Sequence, residues 1–498
     1  MHADRETRLR RILFVGAFIT YAWFFQGGGW NQNVRFDQVW QVVEDGTLDI
    51  NDYFFDRTRR NTNDFAVYEG RYFPNKPPGV SLLGLPSYAV LVFIQGLTGV
   101  SLYSSWKLFH VNAHIVCAFS VSLLSAFLVT SLFTALNYLR PSPPGWRVII
   151  AVAYGFGTMA LPWSTLFQAH QPSAALTFMM FAVLLYQEYD GRRMNEGAGG
   201  RLPQGLDLLA GFLGGLALMV AYNNAPVVAL VMGYRLVGPR PVRGVCAIVI
   251  GMSLPLALLM LYHWMCFGNP LATSYKYENK QFLTADGKVF DFPTLKALWG
   301  ITFSEWRGLF YGSPVLVLCV PGFVYFCKQR FGRLPEALVC IGAVVFYFVL
   351  NTSFINWEGG WCSGPRYLIP CLPFMVCALH FLSGKLRRAM IVLAAVSVCL
   401  QFVITAVNPS TPHQVSNPTK YSLQHLIQNK VSINNQGLLE MFPPEHEGEG
   451  TPQPKHRWSS FNVGELIGLR GVLSLLPLLV VWAFAGRRLV KECLMVKR

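Results

Sequence analysis

The chain has 498 residues, of which 53% are hydrophobic and only 13% are charged, and its formal net charge is +15. A soluble domain carries about 25% charged residues to cover its surface, so this composition excludes a water-soluble fold of this size. Lys and Arg occur in small groups beside apolar segments rather than in one stripe. This pattern argues against nucleic-acid binding and is typical of a polytopic membrane protein.

Apolar runs of roughly twenty residues, the length that crosses a bilayer, recur along the chain. The first follows a basic N-terminus and begins at Ile12. Because no small-residue cleavage site comes after it, we expect a retained helix rather than a signal peptide. The predicted spans are 12–27, 108–137, 148–163, 172–187, 207–222, 224–236, 244–265, 310–327, 336–352, 367–382, 389–408 and 467–486.

Small basic groups predict the direction of threading, because Lys and Arg accumulate in cytoplasmic loops. The groups that then share the cytoplasmic side include Arg140 with Arg147, Arg192 with Arg193, Arg240 with Arg243, Lys328 with Arg330, Lys385 with Arg387 and Arg388, and Arg487 with Arg488. The apolar segment 79–100 is also long enough to span the membrane. One more crossing there, however, would place every later basic group on the opposite side of the membrane. We therefore expect an interfacial or re-entrant element, with Pro78 at its start and Pro86 at a kink.

The predicted fold is an all-α polytopic membrane protein of about 12–13 transmembrane helices. It divides into a transmembrane domain, 1–408, with external loops 28–78, 266–309 and 353–366; a further external loop, 409–466; and 467–498, the last transmembrane helix with a basic cytoplasmic tail. The 266–309 loop, with Tyr275 and Glu278, is predicted to be an aromatic belt with solvated charges. The Pro- and Asn-rich 409–466 loop is predicted to be solvated rather than a lid.

Most of the 11 cysteines lie within apolar runs, where a thiol behaves as a small hydrophobe. Only Cys266 and Cys362 flank external segments, so one disulfide between them is conceivable. No CxxC motif or His/Cys spacing suggests a zinc site.

The first external loop contains an acidic candidate in the run Asn31-Gln32-Asn33-Val34-Arg35-Phe36-Asp37-Gln38. A carboxylate at the membrane surface can act as a general base on a hydroxyl acceptor, provided that it is ionised and within hydrogen-bond reach. Alternatively, Asp37 pairs with Arg35 or caps the helix that follows.

A basic candidate follows in the run Asn75-Lys76-Pro77-Pro78-Gly79. Two prolines fix the backbone, so Lys76 is held at the boundary where an anionic lipid phosphate lies. The alternative is a lysine that snorkels at a helix start.

These two elements together resemble the GT-C superfamily, and within it glycosyltransferase family 39, the protein O-mannosyltransferases and lipid A aminoarabinose transferases. In that family the Asp usually heads an Asp-Glu pair before a small amphipathic helix that ends in Gly. Here Asp37 is followed by Gln38 and the stretch ends at Asp45-Gly46, so the base role rests on Asp37 alone. The resemblance implies a GT-C type bundle with external juxtamembrane helices.

Two later turns supply further candidates. The run 163–172 brings Gln168 and His170 to a helix mouth, where the His either binds substrate or is structural. In the run 356–367, glycines allow the backbone to approach a ligand closely, and Trp rings can stack on sugars. The planar guanidinium of Arg366 can donate two hydrogen bonds to a phosphate. The alternative is an interfacial aromatic belt. The predicted substrate-binding residues are Arg35, Gln168, His170, Trp357, Glu358, Trp361 and Tyr367.

The resemblance implies transfer of a sugar from a polyprenyl-phosphate donor to a glycan, lipid or protein acceptor, outside a bacterial inner membrane. Asp37 would deprotonate the acceptor as an inverting base, while Lys76 and Arg366 stabilise the leaving phosphate. These residues and His170 are expected to converge on one outward-facing cavity, and Asp37→Asn is expected to lower turnover roughly 10²–10⁴-fold. No motif demands a metal or another cofactor.

The rival interpretations are a membrane transporter or lipid-linked glycan flippase, and a non-catalytic scaffold. A proton-coupled carrier usually has Asp or Glu within its spans, and the predicted spans are nearly free of both. In a scaffold, Asp37, Lys76 and Arg366 would have no common purpose.

Overall fold

The computed structural model describes residues 2–58, 60–100, 106–195, 205–238, 240–279, 288–328, 333–434, 436–438 and 459–494 and is mostly helical. Its α-helices are α1 His2–Tyr21, α2 Trp30–Glu44, α3 Gly79–Thr98, α4 Trp106–Cys117, α5 Leu123–Leu139, α6 Pro144–Gly157, α7 Ala160–Trp163, α8 His170–Asn195, α9 Leu206–Val220, α10 Ala225–Tyr234, α11 Pro241–Phe267, α12 Leu295–Thr302, α13 Leu309–Gly312, α14 Cys319–Cys327, α15 Leu334–Ser353, α16 Leu372–Val376, α17 Gly384–Val407, α18 Pro418–Ile427, α19 Val463–Leu466 and α20 Leu476–Leu494.

Four short strands form two antiparallel pairs. Strand β1, Phe24–Phe25, pairs with β4, Phe461–Asn462, and so joins the end of α1 to the start of α19. Strands β2, Phe65–Tyr68, and β3, Arg71–Pro74, form a hairpin in the first external loop.

The predicted apolar spans fall on one helix or on consecutive helical segments, except that 12–27 continues past the end of α1 at Tyr21 into β1. The structure confirms a polytopic helical membrane fold. Among the described residues, the helical stretches long and apolar enough to cross a membrane are Gly79–Thr98, Lys107–Leu139, Pro241–Phe267, Leu334–Ser353, Gly384–Val407 and Gly471–Leu494. Proline, whose fixed φ suits the first helical turn, begins α6, α11 and α18. The total of about 12–13 crossings stays a prediction.

Basic groups from distant parts of the chain gather at one end of the bundle, which we call the N-terminal end. Arg147 forms an ion pair with Glu6 of α1 at 2.5 Å, and His380 contacts the carbonyl oxygen of Arg140 at 2.8 Å. The Arg387 guanidinium lies 4.5 Å from the ring centroid of Trp146. These contacts agree with the predicted threading.

Helix α3 is an unbroken helix that contains Pro86, so the re-entrant turn considered from the sequence does not form. Length and composition would allow α3 to cross a membrane, and its second half contacts α4 near the end of α1. Gln95 donates to Asn112 at 3.2 Å, and the nearby His114 contacts the carbonyl oxygen of Ala22, just after α1. Whether α3 crosses the membrane or lies at its surface stays a prediction.

Candidate functional site

A cavity of about 1070 Å³ lies at the end of the bundle opposite Glu6, where α1, α8 and α15 meet the external loops. Most of the residues predicted from the sequence to bind substrate line it. They are Arg35, Lys76, Gln168, His170, Glu358, Trp361, Arg366 and Tyr367.

The β2–β3 hairpin carries two oppositely charged side chains into this cavity. Glu69 and Gly70 both have positive φ, +51° and +75°, the backbone that a tight two-residue hairpin turn needs. The register pairs Phe65 with Pro74. Asp64 and Lys76, just outside that pair, therefore lie side by side, with Nζ 3.3 Å from Oδ1.

A strand-like segment of the 266–309 loop adds a second carboxylate to the hairpin. Glu278 bridges to Ala66 of β2, and its Oε1 accepts a hydrogen bond of 2.6 Å from Asn75. Burial raises the pKa of Glu278, against the opposing effect of Lys76 and of the Asn75 hydrogen bond. Tyr275 lines the cavity as well, so this part of the loop belongs to the site and is not the solvated belt predicted from the sequence.

Helix α2 begins at the cavity and positions Arg35 in it. Gly29, with φ +115°, precedes the first turn, and this backbone strongly favours glycine. The Arg35 side chain is only 2% exposed and donates to Asn31. Burial lowers the pKa of Arg35 to about 10, with Asp64 acting in the opposite direction.

Arg366 enters the cavity from the loop before α16. Gly359, with φ +75°, allows the approach, since a Cβ there would lie 3.2 Å from the Arg366 side chain. The guanidinium lies 5.1 Å from the ring centroid of Tyr367 and donates to its hydroxyl at 3.2 Å. Within the described ranges, the Nε atoms of Arg35 and Arg366 have no hydrogen-bond partner, and neither guanidinium forms an ion pair.

Aromatic rings form one wall of the cavity. His170 makes edge-to-face contacts with Trp163 at 5.0 Å and with Tyr367 at 5.6 Å between centroids. Trp361 is 39% exposed, and its ring is therefore open to a ligand. Such rings can stack on the face of a sugar.

Two of the predicted site residues do not line the cavity. The Trp357 ring instead lies against Gly300 of α12, where a Cβ would come within 2.2 Å of it. Asp37 is fully buried and accepts a hydrogen bond of 3.1 Å from Asn61. Burial raises the pKa of Asp37 well above its ordinary value, against hydrogen bonds from Asn61 and Thr58.

Helix geometry explains why Arg35 and Asp37 separate. At about 100° per residue, positions two apart project roughly 200° from each other, so they occupy opposite faces of α2. The catalytic role of Asp37 stays a prediction. Sequence reasoning missed Asp64, although it directly precedes a hairpin whose Glu69-Gly70 turn is recognisable.

Residues 436–438 of the 409–466 segment lie against the site, whereas much of 423–430 is exposed as predicted. The Gly28 amide donates to the carbonyl oxygen of Gln436 at 2.5 Å, and Gln436 lines the cavity. Asn61 also donates to the carbonyl oxygen of Leu438 at 2.7 Å. Hydrogen bonds to backbone carbonyl oxygens hold residues 436–438, and no hydrophobic pattern in the sequence predicts them. Residues 439–458 lie outside the described chain.

The conceivable disulfide does not form, since Cys266 and Cys362 are both free. Among the described residues, no group of three or more His, Cys, Asp or Glu side chains is arranged to hold a metal ion.

Comparison with solved structures finds proteins of similar chain path at low identity. ArnT from Cupriavidus metallidurans bound to undecaprenyl phosphate is 13% identical, with 85% of this chain and 70% of that chain covered and a TM-score of 0.47. The apo oligosaccharyltransferase of Archaeoglobus fulgidus is 12% identical, with 91% and 61% covered and a TM-score of 0.44. No protein-family model matches the chain, and no curated protein matches it significantly. At these identities a likeness carries no conclusion about activity.

Proposed function

We propose that the protein is a membrane glycosyltransferase that takes a sugar from a polyprenyl-phosphate donor in this cavity. The acceptor is a glycan, lipid or protein on the extracytoplasmic face of a bacterial inner membrane. The observation that carries the proposal is the pair Arg35 and Arg366, two cavity guanidiniums without a carboxylate partner among the described residues. A buried cation without an ion-pair partner is costly, and, with respect to the residues described, Arg35 is such a cation. The partly exposed Arg366 adds a second guanidinium to the same cavity, and the pair suits an anionic ligand.

A lipid-linked phosphate suits both the charge and the lining of the cavity. Guanidiniums bind phosphate oxygens through two parallel hydrogen bonds, and they stabilise the charge that grows on a leaving phosphate. Apolar side chains from the helices line the same cavity, among them Val220, Leu350 and Phe354. Trp361 and Tyr367 offer faces on which the sugar can stack.

The proposal is tested by mixing purified protein with undecaprenyl-phosphate-linked sugars and measuring the release of undecaprenyl phosphate. A transferase cleaves the bond between sugar and phosphate when an acceptor is present, whereas a transporter or flippase leaves it intact. The same assay with a chelator tests the expected independence from metal. If none of a panel of lipid-linked sugars is cleaved with any acceptor class, the proposed function fails.

Arg366→Ala should chiefly weaken donor binding. Charge-assisted hydrogen bonds contribute roughly 1.5–3 kcal/mol, so the donor KM should rise about tenfold or more. Arg366→Lys should restore binding only partly, because an ammonium lacks the planar fork. The control is Arg388→Ala, which removes an exposed arginine from the start of α17, away from the cavity. Equal donor KM values for Arg366→Ala and the control would remove Arg366 from the donor site.

A further inference from the structure

Given the proposed transfer, we infer that Asp64, rather than Asp37, is the catalytic residue that takes the proton from the acceptor. Asp64 lines the cavity together with Arg35 and Arg366, whereas Asp37 is buried on the other face of α2. A general base must reach the proton that it removes, so access to the cavity is the first requirement.

Hydrogen bonds hold the main chain of Asp64 on both sides. The backbone N–H of Asp64 donates to Thr62 Oγ1 at 3.0 Å, and the Thr62 hydroxyl donates to the carbonyl oxygen of Trp30 at the start of α2. On the other side, the backbone N–H of Asn75 donates to the backbone carbonyl oxygen of Asp64 at 3.3 Å across the hairpin. Catalysis gains from such fixed positioning, because little further ordering is needed when the substrates bind.

The charges around Asp64 link it to the donor site. Lys76 lies 3.3 Å from its carboxylate, and an opposite charge at that distance stabilises a buried anion. The Asp64 charge also stabilises the charged form of Arg35 and interacts with Arg366. A phosphate held between the two guanidiniums therefore brings its attached sugar close to Asp64. Lys76 becomes a positioning residue for the base rather than the main phosphate ligand.

The neighbouring carboxylates suit the role less well. Glu278 also lines the cavity, but its Oε1 accepts the 2.6 Å hydrogen bond from the Asn75 side chain, which ties this carboxylate to the hairpin. Asp37 does not line the cavity, so it lies out of reach of an acceptor bound there.

The proposed transfer forms one bond to the anomeric carbon of the sugar and breaks one. The acceptor oxygen or nitrogen forms a bond to the anomeric carbon of the sugar while its proton passes to the Asp64 carboxylate. The bond between the anomeric carbon and the phosphate oxygen breaks, and its electron pair leaves with the polyprenyl phosphate, where Arg35 and Arg366 stabilise the negative charge. No oxidant, reductant or further reactant is needed.

The test compares Asp64→Asn with Asp49→Asn. Asp49 pairs with Arg71 of β3 at 2.5 Å and does not line the cavity, so the control also removes one carboxylate that holds the hairpin. We expect Asp64→Asn to lower the rate of transfer roughly 10²–10⁴-fold with donor binding kept, and the control to retain most of its activity. Binding of undecaprenyl phosphate, measured by the thermal shift that it causes, reports folding and donor binding separately from the chemical step.

Asp64→Glu and Asp37→Asn complete the test. Asp64→Glu keeps a base but moves it, so it should recover part of the rate and shift the acidic limb of the pH–rate profile. Asp37→Asn should transfer at least tenfold faster than Asp64→Asn. If Asp64→Asn transfers at the wild-type rate, or if Asp37→Asn is the inactive variant, the inference is wrong while the proposed function stands. If the wild type releases no lipid phosphate, the proposed function itself fails.

Discussion

At the scale of single residues, function is concentrated in side chains whose burial would be costly without a ligand. Arg35 is 2% exposed, lies beside a cavity and forms no ion pair within the described part of the chain. Asp37 is also buried, and burial raises its pKa against the opposing hydrogen bonds from Asn61 and Thr58. Two ionisable residues on one helix therefore differ in access: Arg35 reaches the cavity, whereas Asp37 does not.

Asp37→Asn should change the pH dependence of stability. Burial raises the folded-state pKa of Asp37 above its unfolded value of about 3.9, so the native state binds the proton more tightly. The stability that this group contributes is present below that value and is lost as the pH rises through the folded pKa. Asn at this position cannot ionise and lacks this loss, so the melting temperature of the variant relative to wild type should increase as the pH rises above about 4. A difference independent of pH would show that Asp37 is ionised in the fold.

At the scale of elements, the approach of α3 to α9 helps to position Lys76. Gly79 begins α3 directly after the run Lys76-Pro77-Pro78, and a Cβ there would lie 2.5 Å from the Met219 backbone. Backbone atoms cannot yield as a flexible side chain can, so only glycine allows this contact. The hairpin and α3 thus hold Lys76 from both sides.

Gly79→Ala should destabilise the protein, whereas Gly96→Ala on the same helix should not. A Cβ at Gly96 meets nothing within 4 Å, which makes this position a matched control. Overpacking typically costs about 1–3 kcal/mol, so the melting temperature of Gly79→Ala should fall clearly below that of the control. Thermal unfolding of both variants in the same detergent measures the difference. Equal melting temperatures would mean that α3 can move away from α9 without cost.

At the scale of the whole molecule, the basic groups that contain Arg147 and Arg387 occupy the end of the bundle opposite the cavity. Arg147 and Arg387 lie at the N-terminal end, whereas the cavity follows the other end of α1. Under the positive-inside rule, this arrangement predicts that the cavity faces away from the cytoplasm. The predicted threading requires that α3 lies at the membrane surface and does not add a crossing.

Cysteine labelling in intact bacterial cells should reveal this orientation. Lys430, after α18, and Lys385, at the start of α17, are both exposed. In a background without reactive cysteines, Lys430→Cys should react with an impermeant maleimide from outside, and Lys385→Cys only after the membrane is opened. The reverse pattern would contradict the threading and would locate the cavity in the cytoplasm.

The sequence by itself determined the helices, the grouping of basic loops and most of the residue types around the cavity. Apolar length and charge asymmetry are properties of contiguous segments, so they can be read without a structure. Only the tertiary structure decided which carboxylate faces the cavity, because Asp64 reaches it through a hairpin and Asp37 turns away on its helix. It also decided that Glu278 and Gln436 join the site. Backbone pairing between distant loops brings them there, and such pairing leaves no periodic signal in the chain.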